Sequence, residues 1–363
     1  MPRRNRDIPT RKEGTLVEVS TRCLHATYLL TPTAELTDLA VGCLGRALEV
    51  SPLELCAMSM LSNHYHALVV VEDQQQLSRF MGHFNGNLAR EVARIVDWPE
   101  KVWARRFDAI RVSDEPEAQW ARLKYVLSQG AKEGLVESPL DWEGLHAARP
   151  LATGGHLQGH WFNRTEEYEA RRRGEDFQKY DYATLYRVEF DRLPCARHLT
   201  DEEYGEKIAQ ILREIEDEAA QARGDSPVLG MPSIRRQDPC HRPPRTKRSP
   251  KPRFHTVDRE HCLSLVAEHR AFLSHYREAS RALRSGDPGS SMGFPMGCYP
   301  PALPFVGAFH EPWTPPSPPT RPLFRGEKGD IVDRGEIPVV PVPRRRSGRS
   351  PPSPLLPKRA QQA

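Results

Sequence analysis

From residue 15 to residue 135 the apolar positions change period in a readable order. Thr15 to Leu30 (TLVEVSTRCLHATYLL) is rich in β-branched residues and bounded by Gly14 and Pro32, which predicts a long first strand. Behind Thr33, a residue suited to cap a helix start, Leu36, Leu39, Ala40, Cys43, Leu44, Ala47 and Leu48 recur at helical spacing. Two strands follow, Leu55 to Leu61 and His64 to Val71, with only Ser62 and Asn63 between them, so they form a hairpin or a close bend. Leu77, Phe80, Met81, Phe84, Leu88, Val92 and Ile95 mark a second helix, whose opposite stripe carries His83, Asn87, Arg90 and Arg94 and faces solvent or a polyanion. Arg105 to Val112 reads as a last strand and Glu117 to Gln129 as a third helix. The order β-α-β-β-α-β-α is that of the split βαβ, ferredoxin-like fold, which puts the chain in the α+β class.

Beyond this stretch the pattern loosens. Residues 142–186 give no clear period, whereas Leu199 to Arg223 opens on a capping box, Thr200 with Glu203, and keeps Ile208, Ile211, Leu212 and Ile215 on one side. That predicts a helix packing by a narrow stripe. A second helix is expected over Val257 to Leu283, after a basic, proline-containing linker near 234–253. From Gly286 the chain turns to GDPGSSMGFPMGCYPPALPFVG and EPWTPPSPPTRP, a composition that builds neither helices nor central strands. The organisation expected is therefore a basic arm over 1–14, a chemical domain over 15–140, a mostly helical extension over 141–285, and a proline-rich tail over 286–363.

Composition narrows the picture only a little. Lys and Arg number 52 against 48 Asp and Glu, a formal +4, so any nucleic-acid contact must come from local clusters rather than net charge. The clusters after Ile234 and from Arg344 read as polyanion-binding tails or as solvated, disordered ones. The seven cysteines are widely spaced and never in a C-x-x-C arrangement, which points away from a disulfide scaffold and a zinc ribbon. The basic start Met1-Pro-Arg-Arg-Asn-Arg leads into no apolar segment, and no run has membrane-spanning length, so a soluble, cytoplasmic protein is expected.

The candidate chemistry lies in two short runs. In MLSNHYHALVVV, His64 and His66 are two positions apart in a strand, so both imidazoles point to one face and can clamp a metal. In LKYVLSQG, Tyr125 and Gln129 are four apart in a helix and share a face. That face also carries Ala118 and Arg122, opposite the stripe of Trp120, Leu123 and Leu127 expected to dock. Arg105 and Arg106, flanked by Trp103 and Phe107, could hold phosphates while the rings stack on bases, and Asn87, Arg90 and Arg94 are further candidates for DNA contact.

A His-hydrophobe-His strand followed by a helix bearing Tyr and then Gln one turn later resembles the HUH endonuclease superfamily. Within it, residues 1–140 are most similar to the single-tyrosine transposases of insertion sequences and their REP-associated relatives. Some of those relatives carry Asn-Pro where this chain has Gln129-Gly130. The resemblance implies a nucleophilic Tyr125 that attacks a scissile phosphate of single-stranded or hairpin DNA, forming a 5′-phosphotyrosine and releasing a 3′-hydroxyl. It also implies a divalent metal, Mg²⁺ or Mn²⁺, on His64, His66 and Gln129, a low-charge set unlike that of structural zinc. Family members occur as monomers and as homodimers. Two other readings compete: a replication initiator or relaxase, disfavoured by the single tyrosine and the lack of a helicase-like P-loop, and a ferredoxin-like DNA-binding regulator that does not cleave.

Overall fold

The sheet is built on a strand that can afford no solvent. In β1 (Thr15–Arg22) every residue but the last is buried, because helices cover both faces of the strand. A computed structural model describes residues 8–244, 252–285, 293–295 and 298, and these lie in one compact unit. The basic arm before Ile8, the basic residues 245–251 and nearly all of the proline-rich tail fall outside the described residues.

After β1 come α1 (Ala34–Val50), β2 (Glu54–Leu61), β3 (His64–Val71), α2 (Gln74–Val96), β4 (Asp108–Val112) and α3 (Pro116–Leu127). Strands β2, β3, β1 and β4 lie side by side in that order, all antiparallel, which is the ferredoxin-like sheet. Thr33 caps α1 by accepting the Leu36 amide, and the two-residue turn Ser62-Asn63 sets β2 against β3 with Leu61 opposite His64.

Alternation along β3 divides the core in two. Tyr65, Ala67, Val69 and Val71 pack with α1 and α2 on one face. Leu68 and Val70, hence also His64 and His66, face α3 on the other.

The first strand ends at Arg22 and not at Leu30. Arg22 pairs with His64, the first residue of β3, so the ladder has no partner to continue on. Cys23 makes one further bridge, to Trp103, and the backbone turns at His25 and Ala26, both at φ 56°. The fourth strand likewise starts at Asp108 instead of Arg105, and the exposed Arg105 guanidinium folds back onto the Asp108 carboxylate at 2.6 Å. Trp103 and Phe107 do not offer open ring faces. The Trp103 indole donates to the Asn85 carbonyl and meets Tyr65 edge-on, and Phe107 is buried in the core.

The segment without a clear period folds as a hairpin of β5 (Leu157–Phe162) and β6 (Ala183–Val188), with α4 (Ala148–Thr153) before it and α5 (Arg164–Arg173) inside it. It lies against α1 at a backbone-to-backbone contact. A Cβ on Gly42 would collide with the His160 carbonyl, and one on Gly159 with that of Asp38. The Arg164 guanidinium fixes the same hairpin to α2 through the buried Glu91 carboxylate, with both nitrogens at 2.8 Å.

Next, α6 (Asp201–Arg223) carries the capping box and lays Ile208, Ile211, Leu212 and Ile215 onto α3. After the short α7 (Met231–Arg235), β7 (Phe254–His255) adds to the sheet edge parallel to β4, and α8 (Arg259–Arg284) follows. The extension therefore contains strands as well as helices and shares the core of the sheet domain.

Candidate active site

The two histidines stand at the end of β3 where the sheet opens toward the C-terminal end of α3. Their ring centroids are 5.1 Å apart and nearly perpendicular. The Nδ1 of His64 lies 2.6 Å from Asn63 Oδ1, and the Nδ1 of His66 lies 2.5 Å from Glu18 Oε1. An oxygen acceptor at each Nδ1 assigns the proton to that nitrogen and makes Nε2 the lone-pair nitrogen, which is the arrangement of metal-binding imidazoles. Burial pushes the His64 pKa down to about 3, helped by His66 beside it, so the ring is neutral at physiological pH.

Helix α3 carries the phenol to this place. Pro116 occupies its first turn, and Ala118, Leu123, Val126 and Leu127 are buried in the core. Both sides of the helix are covered, one by the sheet and one by α6, where Trp120 meets Tyr204 with ring centroids 5.7 Å apart. The face opposite the docking stripe is covered as well: Ala118 and Arg122 are buried just as Leu123 is. Tyr125 remains 36% exposed, with its ring edge-on to His66 at 5.5 Å. Two cations flank that ring, Lys132 Nζ at 3.8 Å and Arg122 Cζ at 4.5 Å from its centroid.

Gln129 falls just past the helix, which ends at Leu127, and not within it. Its amide is 1% exposed, and Nε2 donates to the Tyr125 carbonyl at 2.9 Å. The same side chain reaches the His64 ring. Gly130 turns the chain away at φ 93°, a conformation that strains any residue with a Cβ. Behind this turn, His146 accepts the Ala148 amide at Nδ1 and meets the backbone carbonyls of Gln129 and Leu127 with its other side. It is buried, which lowers its pKa to about 4.

His64, His66, Tyr125 and Gln129 thus converge, all from one chain. The donors fit a divalent cation: two imidazoles, each with an oxygen at its Nδ1, and an amide whose NH₂ is already engaged, which leaves its oxygen as the donor beside the His64 ring. Among the described residues no group of three or more His, Cys, Asp or Glu could hold a metal, and this set has only two, its third donor being the amide.

The arginines and the asparagine divide. Asp108 pairs with Ser20, and Ser20 with His66, so the exposed Arg105 and Arg106 sit at the same end of the sheet as the histidines. Asn87, Arg90 and Arg94 ride on α2, across the sheet from the site. There Arg90 donates to Asn87, and Arg94 pairs with Glu91 and Glu35. Glu18, Lys132 and His146 were not legible as site residues. Glu18 alternates with Val17 and Val19, which in sequence reads as the solvent side of a half-buried strand.

Residues 38–129 match the family described as IS200-like transposases. The matched segment runs from within α1 to Gln129 and leaves out β1. Among solved structures, a REP-associated tyrosine transposase bound to a REP hairpin is similar at 16% identity, over 42% of this chain and 87% of that one, with a TM-score of 0.33. A transposase candidate from Deinococcus radiodurans R1 is similar at 17% identity, over 34% of this chain and 95% of that one, with a TM-score of 0.25. No curated protein matches the chain.

Proposed function

We propose, starting from the match of residues 38–129 to the IS200-like transposase family, that this chain is a single-tyrosine transposase, which cuts and rejoins single-stranded or hairpin DNA by transesterification at Tyr125. The observation that carries the reading is the convergence described above. An exposed phenol stands 5.5 Å from one of two oriented imidazoles, with two cations over its faces.

The chemistry balances without an energy source. The phenol oxygen bonds to the scissile phosphorus and loses its proton, the bond from phosphorus to the 3′-oxygen breaks, and that oxygen takes up a proton. One phosphodiester is exchanged for another, now a 5′-phosphotyrosine, and a second 3′-hydroxyl reverses the step. Repulsion between the nucleophile and the anionic phosphate is the main obstacle. Arg122 and Lys132 offset it from the protein side by placing positive charge where the phosphate must dock. His64, His66 and Gln129 would hold a divalent cation, which when bound withdraws electron density from the phosphate. We assign the strand contact to Arg105 and Arg106, at the site's end of the sheet, rather than to Asn87, Arg90 and Arg94 on α2.

Incubation of the full chain with labelled hairpin and single-stranded oligonucleotides, with Mn²⁺ or with EDTA, followed by a denaturing protein gel, tests the proposal. A metal-dependent covalent adduct is expected, abolished in Tyr125→Phe with DNA binding retained. An adduct formed by Tyr125→Phe removes Tyr125 as nucleophile. Tight binding without an adduct at any metal makes the chain a DNA-binding protein that does not cleave.

A further inference from the structure

Resting on that reading of the site, we propose that Glu18 is a positioning residue, which holds the metal-ligating histidine and the tyrosine helix in one arrangement. Glu18 sits on β1, outside the segment that matches the transposase family, and is 1% exposed. Its ladder partners are Leu68 on one side and Ile110 on the other, an apolar setting for a carboxylate. Oε1 lies 2.5 Å from His66 Nδ1, and Oε2 pairs with the Arg122 guanidinium. Arg122 in turn lies over the Tyr125 ring, 4.5 Å from its centroid. One carboxylate therefore touches a ligand from the sheet and, through one arginine, the nucleophile on the helix.

Stability alone does not explain such a residue. A buried ion pair is often replaced by apolar side chains with no loss, and a leucine here would meet Leu16, Leu68 and Ile110. What an apolar residue could not do is orient His66. Accepting the Nδ1 proton turns Nε2 outward as the lone pair and strengthens it as a donor. The second function concerns register. Arg122 is three residues before Tyr125, so its bond to Glu18 sets how far along the sheet α3 comes to rest and where the phenol stands relative to His66. Helix and strand belong to different layers, and packing among aliphatic side chains leaves small sliding motions that an oriented ion pair does not.

The test uses the full chain and Mn²⁺ alone, titrated by the loss of its free electron-paramagnetic-resonance signal. Glu18→Gln is expected to weaken Mn²⁺ binding by about 10- to 100-fold, the usual effect of losing a carboxylate behind a ligand histidine. It also leaves the Arg122 charge buried and unpaired, which could destabilise the fold. The double variant Glu18→Gln with Arg122→Met removes that charge. It is expected to recover thermal stability but not Mn²⁺ affinity, and to form less adduct even at saturating Mn²⁺.

Mn²⁺ affinity in either folded variant within about twofold of the wild type, well short of the usual loss, overturns the role of Glu18 and leaves the function standing. A wild-type chain that takes up no Mn²⁺ overturns the reading of the site, and this inference with it.

Discussion

Helix α6 presses on the tyrosine helix from outside, and its grip is apolar rather than ionic. Ile208 is fully buried in the apolar cluster that it shares with Leu123, Val126 and Leu127 of α3. Ile208→Ala deletes three carbons there. At about 0.8 kcal/mol for each buried methylene the transfer loss alone is about 2 to 2.5 kcal/mol. The cavity left behind raises the cost to about 3 to 4 kcal/mol, inside the range found for such truncations. Lys124 also spans the two helices, donating to Glu214 and Glu218 at 2.8 Å each, but these carboxylates are well exposed. Lys124→Met should cost no more than about 1 kcal/mol. Urea denaturation separates the two, provided the slope of free energy against denaturant is unchanged, so that a shift in midpoint reports stability. Below the unfolding transition, Ile208→Ala should also form the DNA adduct more slowly with Mn²⁺ binding intact, since the loosened element carries Tyr125 and not the histidines. An Ile208→Ala cost under about 0.5 kcal/mol, or a Lys124→Met cost exceeding it, refutes the packing argument.

Glu115 is one of the groups that tie down the strand-helix unit after residue 252, beside the β4–β7 ladder and the Arg111–Glu268 pair. Glu115 accepts hydrogen bonds from the Ser113 and Thr256 hydroxyls and the Val257 amide, which pull its pKa down to about 2. With a folded value below the ordinary one of about 4.3, this tether is complete above that pH and is lost as pH falls through about 2. Limited pepsin digestion should therefore cut within 252–285 increasingly over that window and before the sheet is cut; equal susceptibility across it counts against the tether. In Gly42→Ala the helix propensity of α1 improves by about 1 kcal/mol, yet the added Cβ meets the backbone of His160 and Trp161. The net effect on thermal stability should be a loss, with early proteolysis in 157–188, and a more stable variant would mean that the hairpin does not dock as described. Replacing Arg105 and Arg106 by Ala should weaken DNA binding uniformly across sequences and flatten its salt dependence, because phosphate contacts carry no sequence information. Unchanged salt dependence would place the strand elsewhere.

Local pattern carried the element order because each element showed its own period. The apolar spacing behind Thr33, the two-residue turn at Ser62-Asn63 and the capping box at Thr200 are all decided within a few residues, and all three are present. Element ends were less legible, since they depend on partners far away in the chain. β1 stops where β3 begins, and no residue between Arg22 and Leu30 announces that. The hairpin over 157–188 was illegible for a related reason. Its alternation is broken by residues that face α1 through bare backbone, where Gly42 and Gly159 trade side chains for proximity.

The sequence by itself determined the candidate chemistry. His64 and His66 share a face because strand periodicity is two, and Gln129 is close enough in sequence to reach the Tyr125 carbonyl from just past the end of α3. Tertiary structure alone decided what stands behind them. Glu18 looked like a solvent-facing residue because an alternating pattern marks the side opposite a core, and it cannot tell solvent from a second covering layer. Once α3 lies across that face, the same carboxylate is buried and must find partners, and it finds His66 and Arg122, 48 and 104 residues further along the chain. Such pairings follow from the stacking of layers, which no local period encodes.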